Sequence, residues 1–282
     1  MDLWYQLVDL LPFEWAEPGR MLFMKNARLA ILVISPLFGL LSTMVVEKKM
    51  SFFSDALGHS AFTGIAAGTL AGFTDPSWCA VLLAVCFALL FTWVRNRTNL
   101  ASDTVIGVFS STAVALGIFL STLGGRSFTK FNSLLVGDIL SVTPEKIALL
   151  ALILLLVALL WLTSLNQIAL SAIHPALARS RGVQLIRQEA LFNCAVAVVV
   201  TLSMTWVGLL VINSLLVLPG AAARNLARNM RQYTWISLAL ALISGFTGLM
   251  MSYYIGASTG ASITLVLALC FALTFCFRKR CL

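Results

Sequence analysis

Residues 51–64 read Ser51-Phe-Phe-Ser-Asp55-Ala-Leu-Gly58-His59-Ser-Ala-Phe-Thr-Gly64, a carboxylate and an imidazole set into hydrophobic sequence. The uncharged run 29–46 and the basic pair Lys48 and Lys49 precede them, and apolar sequence resumes and lasts to about residue 73. On a helix, residues four apart lie one turn apart on one face. Asp55 and His59 so placed can hold one divalent cation between them. A carboxylate inside a bilayer-spanning helix costs about 2.5–3.5 kcal/mol on insertion scales, so one that is kept there has a use.

Composition places the whole chain in a membrane. It has 282 residues, of which 60% are hydrophobic and 11% charged, against about 25% charged in a soluble domain. The apolar residues come in long uncharged blocks rather than alternating ten-residue segments, which selects an all-α helical bundle over a β-barrel. The net charge of +8 is carried by short loops and by Arg278, Lys279 and Arg280. That distribution marks cytoplasmic loops and shows no nucleic-acid-binding stripe. The six cysteines are scattered without a C-x-x-C pair and read as small apolar fillers.

Residues 1–24 hold four acids and no basic leader, with Trp4, Tyr5, Leu7, Leu10, Leu11, Phe13 and Trp15 among them. They read as an amphipathic interfacial segment and not a cleaved signal. Residues 25–282 read as one transmembrane domain. Its expected spans are 29–46, 56–74, 77–94, 104–125 and 147–165, with 131–140 too short to cross and read as a re-entrant or broken helix. Two runs are of double length. Residues 190–223 would reach about 51 Å as one helix, too long for a hydrocarbon core of about 30 Å. Gly208, Asn213 and Pro219 are the candidate breaks or gates there, and 254–260 divides 232–277. The expectation is eight or nine spans.

The basic loops at 48–49, 95–97, 179–187 and 224–231 are expected on the cytoplasmic side with the C-terminus. The connections near 75, 207 and 256 are expected outside; Arg20, Lys25, Arg28, Arg126 and Lys130 resist that map. Between them His174-Pro-Ala-Leu-Ala-Arg-Ser-Arg-Gly182 reads as a short loop helix, with proline at its first position and glycine at its stop.

Four blocks, in this order, are similar to the membrane permeases of ATP-binding-cassette importers for zinc, manganese or iron. They are residues 50–64; Asp103-Thr-Val-Ile-Gly107 with Ala115-Leu-Gly117; Leu134-Leu-Val-Gly137-Asp-Ile-Leu140; and Val207-Gly208 through Leu218-Pro219-Gly-Ala-Ala-Ala-Arg224. The resemblance implies a type II importer permease fold and a multi-pass protein of the bacterial inner membrane. It also implies a second permease subunit (an identical copy or a paralogue), two cytoplasmic ATPase subunits and an extracytoplasmic metal-binding protein. It puts Asp55 and His59 on the metal pathway, with the metal as cargo and no permanently bound cofactor.

For His174, Pro175, Leu177, Arg179, Arg181 and Gly182 the functional reading is docking into an ATPase cleft. The chain has no G-x-x-x-x-G-K-[ST] of its own, so hydrolysis falls to another subunit. Two other classes use the same residues differently. An ion-coupled secondary transporter would employ intramembrane charge but lacks a second matched pair of charged broken helices. An intramembrane protease would need Ser258 as nucleophile and His59 as base, on a glycine–serine turn of common type.

Overall fold

The computed structural model describes residues 22–73, 76–98, 100–123, 137 and 139–277, and every regular element among them is helical. In chain order these are α1 (Leu22–Glu47), α2 (Phe53–Leu70), α3 (Ser77–Arg97) and α4 (Ser102–Leu123), then a 3-10 turn (Ile139–Ser141). There follow α5 (Pro144–Ile173), α6 (Pro175–Ser180), α7 (Leu185–Val207), α8 (Leu209–Leu226), α9 (Met230–Ile255) and α10 (Thr259–Cys276). The segment 1–21, most of the expected re-entrant piece 131–140, Arg126, Lys130 and the basic residues 278–280 lie outside the described residues.

Eight of the helices are long and apolar enough to cross a bilayer. The helix bearing Asp55 and His59 is not among them, yet connectivity makes it a ninth crossing. Glu47 at the end of α1 and Arg95 at the end of α3 line the same cavity, so the chain between them must go out and back. α3 supplies the return and α2 the outward leg. Low hydropathy is tolerated in α2 because it packs against α3, α4, α7 and α8. Twelve of its 18 residues are buried in protein. Lipid contact falls instead on the exposed leucines and phenylalanines of α3, α4 and α5.

Close approach of α2 to α3 depends on glycine. A Cβ on Gly64 would stand 2.7 Å from the Cys79 carbonyl oxygen and from the Ala80 Cα. Small residues in such seams replace the hydrophobic drive that lipid cannot provide. Side-chain hydrogen bonds reinforce them: Thr63 Oγ1 donates to the Ala113 carbonyl on α4 at 2.6 Å, and Asn193 Nδ2 to Thr92 Oγ1 between α7 and α3 at 2.8 Å.

The double-length runs divide where left-handed backbone is required. Gly208 has φ +90° between α7 and α8, and Gly256 has φ +72° after α9. Asn213 and Pro219 are not breaks; both lie inside continuous α8. Proline is accommodated there because the next amide, Gly220 N–H, donates across to Ser42 Oγ of α1 at 2.8 Å, a partner from a neighbouring helix of the kind intramembrane prolines require. α5 also runs further than expected. Its 30 residues reach about 45 Å, so its last turns project beyond a core of about 30 Å before His174 turns the chain into α6.

Candidate functional site

The site begins with how α8 meets α2. Gly58 leaves room for Leu209, whose side-chain carbons would stand 2.6 and 2.7 Å from a Cβ at that position. The two helices run antiparallel there, so one turn further along α8 Asn213 comes level with Asp55, nearly one turn back along α2. Asn213 Nδ2 donates to Asp55 Oδ1 at 3.2 Å. The other carboxylate oxygen, Oδ2, lies 3.4 Å from His59 Nε2. The sequence spacing that put the carboxylate and imidazole on one face is therefore realised as contact. Asp55 also stands in the first turn of α2, where the helix dipole favours negative charge.

Burial separates this pair from a packed polar core. The Asp55 side chain is 41% exposed and His59 17%. They form a face of α2 that the surrounding helices of the same chain leave partly open. Among the described residues no three of His, Cys, Asp and Glu come together, so one chain supplies only two classical ligands. Zinc ordinarily takes four and manganese more.

A second polar cluster lies where the expected cytoplasmic loops meet. Glu189, in the second turn of α7, pairs with Arg95 and accepts from Asn96 Nδ2 at 2.9 Å. Arg95 also reaches Met50 Sδ at 3.4 Å, on the turn that leads into α2. The ammonium of Lys48 rests 5.2 Å from the centre of the Phe192 ring. Burial drives the Lys48 pKa down to about 8, with Glu189 opposing the shift and Arg95 adding to it. Glu47 and Arg224 approach within 3.6 Å nearby. Glu47, Lys48, Arg95, Asn96 and Glu189, with Arg179, border a cavity of about 360 Å³.

The opposite end is built from glycine and small residues. Gly137 packs so tightly on the chain at Gly208 that a Cβ would stand 2.2 Å from the Gly208 nitrogen. Val207 and the turn Ala257–Gly260 border the same 230 Å³ cavity. Ser258 serves there as the N-cap residue of α10. The two ends are joined by α7, whose 23 residues span about 34 Å. Lys25 and Arg28, which resisted the charge map, begin α1 at the end away from Glu47. Lys25 is buried, and Arg28 stands over the Phe246 ring at 5.6 Å.

The loop helix forms where the sequence placed it. α6 covers Pro175–Ser180, with His174 as N-cap and Gly182 at φ +73° beyond its end. Ala178 alone is buried, while His174, Pro175, Leu177, Arg179, Arg181 and Gly182 are exposed. Sequence reasoning missed Glu189 as an interhelical partner and Asn213 as a partner of Asp55. No local pattern marks either, because both contacts join residues more than ninety positions apart.

The family model described as the ABC 3 transport family matches residues 20–278. The high-affinity zinc uptake system membrane protein of Haemophilus influenzae is 26% identical, over 90% of this chain and 97% of its own. A probable iron transport system membrane protein of the same organism is 27% identical over 95% and 98%. The manganese import system permease protein ScaB of Streptococcus gordonii is 27% identical over 90% of each. Among solved structures, PsaBC from Streptococcus pneumoniae in complex with Fab superposes with a TM-score of 0.77 at 24% identity, over 98% of this chain and 95% of that one.

Proposed function

Since this chain belongs to the ABC 3 transport family, we propose that it is the permease subunit of an ATP-driven importer of divalent metal ions in a bacterial plasma membrane. The observation that carries the reading is the Asp55–His59 pair, half-open on α2 and incomplete as a ligand set within one chain. A second permease copy across a two-fold axis would complete it with two carboxylates and two imidazoles. Oxygen and nitrogen donors without thiolate suit an ion that must be released again. The carboxylate offsets the ion's charge as water is stripped away, and the neutral imidazole adds a nitrogen donor.

Orientation follows from charge. The end carrying Lys48, Lys49, Arg95, Arg179 and Arg224 is assigned to the cytoplasm, because basic residues in short loops resist translocation. The glycine-rich end then faces out, toward an extracytoplasmic metal-binding protein. At the cytoplasmic end α6 projects with Leu177 as apolar anchor and Arg179 and Arg181 at its rim, the arrangement a cleft on an ATPase subunit would accept. Two such ATPases, one per permease, would drive alternating access by moving α6 and the attached α7.

Reconstitution with the ATPase partner in liposomes tests the reading. Accumulation of radioactive zinc or manganese should require ATP, and Leu177→Glu should uncouple hydrolysis from uptake while the subunit still inserts, since a lost anchor costs more than a lost rim charge. Uptake driven by a proton gradient without ATP would support the ion-coupled secondary transporter instead.

A further inference from the structure

The Asp55 carboxylate is held on two sides by groups of unlike kind. His59 Nε2 lies on the Oδ2 side, and the Asn213 amide donates to Oδ1 at 3.2 Å from a different helix. Asn213 Oδ1 is buried and has no hydrogen-bond partner among the described residues, in a setting where an unmet carbonyl costs about 1–3 kcal/mol. Asn193 Oδ1, in the seam between α7 and α3, is likewise unmatched, so what sets Asn213 apart is its place beside the Asp55 carboxylate.

We propose that Asn213 is a third donor of the metal site, selecting for six-coordinate cations of the manganese(II) class. In the metal-free protein its N–H steadies Asp55; with an ion present, a half-turn of the amide presents oxygen in place of nitrogen. The spacings suit this exchange. Ligand atoms about 2.1 Å from a metal stand about 3.0 Å apart along an octahedral edge and about 3.4 Å along a tetrahedral one. The Asp55 carboxylate stands 3.2 Å from the Asn213 amide at Oδ1 and 3.4 Å from His59 at Oδ2, both in that range, and a carboxylate turned to give one oxygen would serve both neighbours. Each chain would then give two oxygens and one nitrogen. Two chains give four oxygens and two nitrogens, a full shell for an oxygen-preferring six-coordinate ion and an excess for four-coordinate zinc.

This inference rests on the Asp55–His59 reading, and the experiment separates the two. The permease, purified with its ATPase subunits, is titrated with manganese(II) and with zinc(II) as wild type and as Asn213→Ala, Asn213→Asp and Asp55→Asn, each first shown to retain assembly. Asn213→Ala should weaken manganese binding at least tenfold while changing zinc less than threefold. Asn213→Asp keeps an oxygen but lacks the N–H, and should restore manganese binding to within threefold. Equal losses for both metals in Asn213→Ala, or no rescue by Asn213→Asp, would reduce Asn213 to a support for Asp55 and overturn the proposal. Full binding of both metals by Asp55→Asn would overturn the underlying site as well.

Discussion

Two of the clusters of charged side chains within this bundle are completed in different ways. At the end carrying the basic loops Glu189 is matched by Arg95 and Asn96 from α3, with Lys48 beside it on the turn between α1 and α2. Every member of that cluster finds its partner within the chain. On α2 the Asp55 carboxylate meets His59 and the Asn213 amide, and the pair remains partly open. The closed cluster binds helices together; the open one leaves part of its carboxylate accessible. Sequence composition does not distinguish them, since each is an acid with a basic neighbour. Burial does.

That contrast can be broken at several points. The largest effect on stability is expected from the closed cluster. Glu189→Gln leaves Arg95 and Lys48 facing each other without a compensating carboxylate, and removing one partner of a largely buried pair costs about 2–3 kcal/mol after allowance for its residual exposure. The unfolding temperature of the detergent-solubilised permease should drop by several degrees, whereas Asp55→Asn should leave it near wild type. Equal losses from both substitutions would erase the distinction between the clusters.

A smaller effect of opposite sign is expected at Lys48. Its pKa in the folded protein is about 8 against an ordinary 10.5, so the unfolded chain binds the proton more tightly. The folded state carries the full penalty below about pH 8. That penalty is relieved as pH rises toward the ordinary lysine value, and stability from this group therefore increases with pH across that window. Lys48→Met removes the buried charge but also its contact with the Phe192 ring. A net gain of about 1 kcal/mol at pH 7 is expected, with a flatter pH dependence of unfolding between 8 and 10. A loss of stability at pH 7 would mean that Glu189 needs Lys48 as well as Arg95.

The sequence made the scaffold readable because its signals are local. Uncharged runs mark helices, and Gly208 and Gly256 mark the two breaks by their need for positive φ. The four-residue spacing of Asp55 and His59 likewise carried through to contact. What was not readable depends on which helices become neighbours. Pro219 has the local look of a break, but Ser42 from α1 receives the following amide and the helix continues. Asn213 has the local look of a hinge residue, and its role is visible only once Leu209 seats on Gly58 and brings it to Asp55. Hydropathy alone would also have dropped α2 from the spans, since its polar residues are hidden by other helices rather than compensated by apolar ones.

The central claim is that Asp55 and His59 form half of a metal site shared between two permease copies. Its most direct test is the stoichiometry of metal bound to the purified permease–ATPase assembly, compared with Asp55→Asn and His59→Ala assemblies of unchanged subunit composition. The expected result is one transported ion per two permease subunits in the wild type and at least a hundredfold weaker binding in each variant. Wild-type affinity in both variants, or one independent ion per permease, would contradict it.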